Sequence, residues 1–227
     1  FDAHLDPAGI SLTLNRTGSG SLTLGSALSV TGALNLAQGR LYTGGDTLTV
    51  GSGGTVARGS GQVVGNLRKS VGLGSPVVTF EVGAATAYAP IDVAFSGVTA
   101  AGQLTASSIG ADHPALATAG LTAGKRVHHY WSLSGQGAVF DHFDATVYFV
   151  AGEVDNAATP SNFSLRRYSG STWSGIAKGT RTASSTQGVG VTGFGEFAVG
   201  ELQSLALEPS AVGDARFALS VGFPSPQ

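Results

Sequence analysis

Apolar and polar residues alternate in short runs between Ser21 and Leu67, and a small turn follows each run. In each run two large apolar residues are separated by one small or polar residue, as at Leu22/Leu24, Leu28/Val30, Leu34/Leu36 and Leu48/Val50. Side chains of a β-strand alternate between its two sides, so both apolar residues of a run point to one face. Glycine closes most runs, where a corner of the backbone can require positive φ.

The repeating unit is about six or seven residues long, which is too short for a meander of hairpins with full strands. We therefore predict a β-solenoid, in which each short strand stacks on the equivalent strand of the next coil. Such a coil is a rigid scaffold, and it favours a structural role over a catalytic one.

After residue 70 the pattern changes to longer alternating strands separated by glycine, proline and aspartate turns. They begin near the following residues: Val77, Ala89, Gly102, Val127, Phe143, Phe163, Ser171 and Phe194. Many strands at this spacing, with a helical turn favoured only at 114–119, are typical of an antiparallel β-sandwich. We predict an all-β fold with a solenoid-like repeat and an N-terminal strand at 1–70, a sandwich at 71–201 and a C-terminal strand or tail at 202–227.

The tail carries a strong strand pattern near the end of the sequence. Large apolar residues alternate with Ala218, Ser220 and Gly222, and they are Phe217, Leu219, Val221 and Phe223. This strand either pairs with its own domain or completes the sheet of a neighbouring subunit by strand addition. The N-terminal strand with Ile10, Leu12 and Leu14 is a second candidate for the same exchange.

Composition narrows the classes of function. Charged residues make up 11% of the chain, against roughly 25% in an average globular domain, and glycine is abundant, which is common in secreted and surface β proteins. The net charge of −2 gives no electrostatic reason to bind nucleic acid. The absence of cysteine excludes disulfides, thiolate zinc sites and a cysteine nucleophile. We expect no membrane span, and we expect an extracellular mature segment from which an export signal has been removed.

The segment from about Leu48 to Gly200 resembles a β-rich module of large secreted, adhesin-like surface proteins exported by the type IX route. The residues that carry the resemblance are Leu48-Thr-Val-Gly, Gly65-Asn-Leu-Arg-Lys, Phe80-Glu-Val-Gly, Tyr88-Ala-Pro-Ile, His113-Pro, His129-Tyr-Trp-Ser-Leu, Phe143-Asp-Ala-Thr-Val, Leu165-Arg-Arg-Tyr, Trp173 and Phe194-Gly-Glu-Phe-Ala-Val-Gly. It implies a stalk or display module, and it brings no catalytic residues with it.

Two clusters of side chains contain residue types that bind metal ions. His128 and His129 are adjacent on a strand, so they point to opposite faces and cannot easily bind one metal ion. Glu153, Asp155 and Asn156 form a candidate calcium loop, for which a solvated turn is the competing interpretation. Asp141 and Asp144 lie at the other end of the same strand, too far away to share an ion. The sequence thus predicts no cofactor.

Catalytic patterns are weak. No Gly-x-Ser-x-Gly elbow is followed by a helix, and Asp141 with Glu196 is one of many carboxylate pairs that could be drawn for a glycosidase. We predict no enzyme and no catalytic residue, with a hydrolase as the third choice.

The sequence predicts an extracellular structural subunit of a surface fibre or filament, which assembles with copies of itself through a terminal strand. The alternative is a monomeric adhesin or carbohydrate-binding module. In that case Tyr168, Trp173 or Tyr42 would stack against the sugar rings of surface glycans.

Overall fold

The structure is a computed structural model of the chain, and it describes residues 2–6, 9–17 and 20–204. The described part is all-β, as predicted. Its first eight strands are β1 (Asp2–Asp6), β2 (Gly9–Asn15), β3 (Ser21–Thr23), β4 (Leu28–Val30), β5 (Ala33–Gln38), β6 (Arg40–Val50), β7 (Thr55–Arg58) and β8 (Gln62–Val71). These strands occupy the segment that carries the short apolar runs.

The remaining strands are β9 (Val77–Phe80), β10 (Ile91–Ser96), β11 (Gly102–Ile109), β12 (Leu121–Gln136), β13 (His142–Tyr148), β14 (Phe163–Ser169), β15 (Thr172–Gly175), β16 (Ala177–Arg181), β17 (Ser185–Val191) and β18 (Gly195–Leu202). Three short 3-10 helices accompany them: η1 (Leu116–Thr118), η2 (Ala151–Glu153) and η3 (Pro160–Asn162). The helical turn expected at 114–119 is η1. Among the described residues there is no helix with the length and apolar character needed to cross a bilayer.

The strands of the described residues form three sheets. The largest has nine strands, in the order β15-β14-β18-β12-β11-β8-β6-β3, and β4 pairs with β6 beside β3. A four-stranded sheet has the order β1-β2-β5-β7, and a five-stranded sheet has the order β16-β17-β13-β10-β9.

Pairing in the N-terminal part is mainly parallel and in register. Leu12 lies opposite Leu34, and Leu34 lies opposite Val56, so residues that lie 22 apart in sequence meet on neighbouring strands. In the nine-stranded sheet Leu28, Leu48 and Leu67 form a similar column. The stacking period is therefore longer than the six or seven residues of one run, because adjacent runs of the sequence do not pair with each other.

Strand β8 joins the two kinds of pairing. One edge pairs in parallel with β6, and the other pairs antiparallel with β11. The large sheet therefore continues across residue 70, where the sequence pattern changes. From β9 onward the strand pairs are antiparallel.

One hydrophobic core takes side chains from all three sheets. It includes Leu36 of the four-stranded sheet, Leu48 and Trp131 of the nine-stranded sheet, and Phe143 of the five-stranded sheet. The indole N–H of Trp131 donates a hydrogen bond to the carbonyl of Ala89 at 2.8 Å, which satisfies the polar atom of the largest buried side chain.

Candidate functional site

A buried polar cluster lies on the core side of the β11–β12 pair. Ser108 is directly opposite Trp131, so His129, two residues before Trp131, shares its face and lies diagonal to Ser108. The Ser108 hydroxyl is 2.7 Å from His129 Nε2, and His129 Nδ1 is 2.9 Å from Glu153 Oε1. Glu153 reaches the cluster from η2, which follows β13.

The protonation pattern follows from what each partner can donate. A carboxylate only accepts hydrogen bonds, so Nδ1 of His129 carries the proton and donates it to Glu153. In the neutral imidazole Nε2 is then the lone-pair nitrogen, and it accepts the hydrogen bond from the Ser108 hydroxyl. This arrangement of serine, imidazole and carboxylate is the one that activates a serine in hydrolases.

The cluster is buried. His129 is 1% exposed and Ser108 is 5% exposed, and the imidazole packs against the Trp131 indole with ring centres 5.0 Å apart. The second carboxylate oxygen of Glu153 is also buried, and it has no hydrogen-bond partner among the described residues. Gly110 lies beside the imidazole, because a Cβ on it would come within 3.9 Å of both His129 and Glu153.

A surface cleft of about 510 Å³ adjoins Ser108. Its lining includes Tyr42, Gly44, Gly65, Ala84 and Gly110, and the residues that line it carry no charged side chain. One wall is formed where the pairing of β6 with β8 is irregular, between Tyr42 and Thr47. Next to Ser108 the cleft is therefore lined mainly by small residues, and none of its lining side chains is charged.

His128 occupies the opposite face of β12 and is half exposed. Its Nδ1 is 2.7 Å from Asp112 Oδ1, and its Nε2 is 2.9 Å from Asp155 Oδ1. Hydrogen bonds to Asp155 and Asp112 raise the pKa of His128 above its ordinary value. Partial burial opposes ionisation of Asp155, but bonds from the Arg126 N–H and His128 outweigh it and lower the pKa of that carboxyl.

A third histidine, His113, is buried within an aromatic cluster on the large sheet. Its ring centre lies 5.0 Å from Tyr130, 4.7 Å from Tyr168 and 4.8 Å from Trp173. Nε2 is 2.9 Å from Glu196 Oε2, and Nδ1 accepts the backbone N–H of Ala115. Burial and the nearby Glu196 raise the pKa of Tyr130.

The structure separates the residues that the sequence offered as metal ligands. His128 and His129 point to opposite faces, as alternation requires. Glu153 binds His129 while Asp155 binds His128, so the proposed calcium loop directs its carboxylates to different partners. In the described part of the chain no group of three or more histidine, aspartate or glutamate side chains is arranged to hold a metal ion.

The residues that the sequence suggested for a glycosidase pair or for sugar stacking lie at several separate places. Glu196 binds His113, whereas Asp141 lies beside Gly97. Tyr168 and Trp173 lie side by side with ring centres 5.1 Å apart, and the indole N–H of Trp173 bonds to Ala115. Tyr42 is at the cleft rather than in that cluster.

The predicted assembly strands have different positions. Ile10, Leu12 and Leu14 lie on β2, which pairs with β1 on one side and β5 on the other. Leu12 and Leu14 are buried, and Ile10 is 37% exposed. Phe217, Leu219, Val221 and Phe223 lie outside the described residues.

The sequence pattern favours a core or metal-binding role for His129 and gives no signal at Ser108. The three members of the cluster are separated by 21 and 24 positions. The pairing register of β11 with β12 brings Ser108 to His129, and the position of η2 brings Glu153 to the imidazole. A buried histidine on the same strand face as a core tryptophan is the one local signal. Comparisons with protein-family models, curated proteins and solved structures found no match.

Proposed function

We propose that the chain is a structural module of an extracellular fibre or filament, and that a strand from another copy extends its parallel stack. One observation carries the proposal: Leu22 and Leu28, at the edge of the stack, are half-buried, whereas their partners Leu41 and Leu48 are fully buried. An added strand would cover these leucines and bury apolar area worth about 25 cal/mol per Å².

The edge formed by β3 and β4 also has backbone groups that pair with no strand of the described residues. Both strands pair with β6, and no other described strand pairs with them. The N–H of Leu24 donates to Tyr42, and neighbouring N–H groups on a strand point to opposite sides, so the N–H of Thr23 faces the outer edge. On the other sheet of the stack, β1 covers β2.

Another sheet edge, at β9, is protected by a charged side chain. Lys69 Nζ donates to the carbonyl oxygen of Thr79 at 2.6 Å and to Glu81 at 2.6 Å. A charge that occupies a strand edge is one of the ways in which sheets avoid unwanted pairing. The acceptor in our proposal is the edge at β3 and β4, where Leu22 and Leu28 are half-buried. The donor is the segment 215–223, because its large residues alternate with small ones.

We propose further that the parallel part is a β-solenoid stack with coils of about 20 residues. The in-register columns through Leu12, Leu34 and Val56, and through Leu28, Leu48 and Leu67, support this interpretation. The low charge content and the resemblance to adhesin-like modules of the type IX route support an extracellular, surface-displayed position.

The donor half of the proposal is tested on the purified full chain by negative-stain electron microscopy and light scattering. We expect filaments from the unmodified chain and none from Leu219→Asp, since a charge would replace an anchor in an apolar groove. Ser220→Asp is the matched control, because it places the same charge on the opposite face of the strand. Equal assembly of the two variants, or a monomeric unmodified chain, would overturn the proposal.

The acceptor half is tested at Thr23. Thr23→Pro removes the outward N–H while leaving the bonds of its neighbours to β6, so we expect it to block assembly without unfolding the chain. Thr23→Val retains the N–H and the shape of the side chain, and we expect it to assemble normally. Filaments from Thr23→Pro would exclude this edge as the acceptor.

A second candidate function, glycan binding by a monomeric adhesin, is favoured by the aromatic cluster. Tyr168 and Trp173 are adjacent and only partly buried, and they present a surface on which a sugar ring can stack. If this function is correct, glycan-array binding is lost in Tyr168→Ala and kept in Tyr42→Ala, which changes an aromatic residue outside the cluster. Equal loss in both variants, or no binding by the unmodified chain, would exclude the cluster.

A further inference from the structure

We propose that Ser108, His129 and Glu153 form an acyl-transfer site, in which Ser108 is the nucleophile for a small neutral ester that enters from the adjoining cleft. The 2.7 Å contact of Ser108 Oγ with Nε2, and the 2.9 Å contact of Nδ1 with Glu153, define the role of each residue. His129 is the general base, and Glu153 is a positioning residue that fixes the tautomer of the imidazole.

The cost of burying this cluster argues for a chemical role. A buried polar group costs roughly 1–3 kcal/mol when it lacks a hydrogen bond, and Glu153 keeps one buried carboxylate oxygen without a partner among the described residues. Apolar side chains would fill the same space next to Trp131 without that cost. A catalytic role is one of the explanations for a buried polar atom that lacks a hydrogen bond.

The surroundings of the site favour a small substrate. The cleft of about 510 Å³ lies within the roughly 300–1,000 Å³ typical of ligand sites. Gly110 and Ala84 line it next to the imidazole, and a Cβ on Gly110 would lie only 2.9 Å from Ala84. Since the residues that line the cleft carry no charge, the expected substrate is an uncharged ester rather than a phosphate or carboxylate.

The reaction needs no partner other than water. Ser108 Oγ attacks the ester carbonyl carbon while its proton passes to His129 Nε2, and the tetrahedral intermediate collapses as the alcohol leaves with that proton. Water then attacks the acyl-serine and gives its proton to Nε2. The carboxylic acid leaves, and Ser108 recovers its proton.

A fluorophosphonate probe tests the nucleophile directly. We expect the folded full chain to be labelled at Ser108, as located by mass spectrometry, and Ser108→Ala to lose both the label and the hydrolysis of p-nitrophenyl acetate. Ser132→Ala is the matched control: Ser132 lies on the neighbouring strand and the opposite face of the sheet, and this variant should keep both. Far-UV circular dichroism establishes that each variant is folded.

The positioning role of Glu153 is tested with Glu153→Gln. The amide keeps the size of the side chain but removes its charge, so we expect kcat for p-nitrophenyl acetate to fall about 10²-fold or more, with KM nearly unchanged. Glu153→Asp, which restores the carboxylate, should recover part of kcat. Absence of label at Ser108 in the folded chain, or equal hydrolysis by Ser108→Ala and the unmodified chain, would overturn the proposal. Changed hydrolysis with Ser108 unlabelled would also overturn it.

Discussion

His128 stands between two carboxylates on the surface of β12. Asp112 and Asp155 accept hydrogen bonds from its two ring nitrogens, and Arg126 also binds Asp112 at 2.8 Å. Both ring nitrogens can donate at once only when the imidazole is protonated. His128 therefore donates hydrogen bonds to both Asp112 and Asp155 only when its imidazole is charged.

The raised pKa of His128 makes its contribution to stability depend on pH. A pKa that is higher in the folded state gives stability that is fully present below about pH 6.5, the pKa expected for an unfolded histidine. That stability is lost as pH rises through the folded-state value. We expect His128→Gln to lower the free energy of unfolding at pH 5.5 by less than about 1 kcal/mol, because exposed pairs are screened.

The measurement is urea denaturation of the unmodified chain and His128→Gln at pH 5.5 and pH 9. The difference between the two proteins should shrink from pH 5.5 to pH 9, because the protonated fraction of the imidazole falls as pH rises. A difference of the same size at both values would show that His128 acts through packing rather than charge.

For single residues, the sequence predicted which face of a strand a side chain occupies better than it predicted which residues that side chain contacts. Alternation alone placed His128 and His129 on opposite faces. It could not place Ser108 against His129, or Asp112 against His128, because those contacts depend on which strands pair and in which register. Register over such separations is set by the packing of the whole core.

The junction of β6 and β8 contains an irregularity that shapes the cleft. Tyr42 pairs with Val64, and Thr47 pairs with Asn66, so the four residues 43–46 of β6 lie opposite Gly65 alone. The Thr43 hydroxyl accepts the N–H of Asn66 at 2.9 Å, and the Asn66 amide donates to Asp46 at 3.1 Å. Gly65 has φ of +117°, in the region that side chains other than glycine rarely adopt.

We expect Gly65→Ala to destabilise the chain by about 2 kcal/mol or more. An alanine at this φ costs of order 1–3 kcal/mol, and the new Cβ would collide with the Thr43 hydroxyl that holds the irregularity together. Gly72→Ala is the control just beyond the end of the same strand: a Cβ added there would have no heavy atom within 4 Å, and φ is not positive. Thermal unfolding that is equal for the two variants would contradict this account.

Among the elements, strands with large alternating residues were predicted and strands rich in glycine were not. The run from Gly102 to Ile109 is β11 as observed, because Leu104 and Ala106 alternate with polar neighbours. Strand β17 was missed, since Gly188 and Gly190 interrupt its apolar pattern. Strand β12 extends to 16 residues, and its first part, around Gly124, carries no alternation.

The molecule as a whole is organised around β8 and a shared core. The sequence placed a boundary at residue 70, where the pattern changes from short runs to longer strands. That residue lies at the end of β8, which pairs with both kinds of strand, and the core continues through all three sheets. The change of pattern reflects a change from parallel to antiparallel pairing within a continuous sheet.

Because the core is shared, we expect a destabilising substitution in the parallel N-terminal part to destabilise the antiparallel part as well. Leu36 is fully buried in β5, and Leu36→Ala should cost about 2–5 kcal/mol. The two tryptophans, Trp131 and Trp173, lie in β12 and β15, so their fluorescence follows the unfolding of the antiparallel part. In Leu36→Ala we expect the urea midpoint from tryptophan fluorescence to fall together with the midpoint from far-UV circular dichroism. Asn35→Ala is the control on the other face of the strand, and we expect it to change either midpoint little. A fluorescence midpoint that stayed in place while circular dichroism showed an earlier phase would mean that the two parts unfold independently.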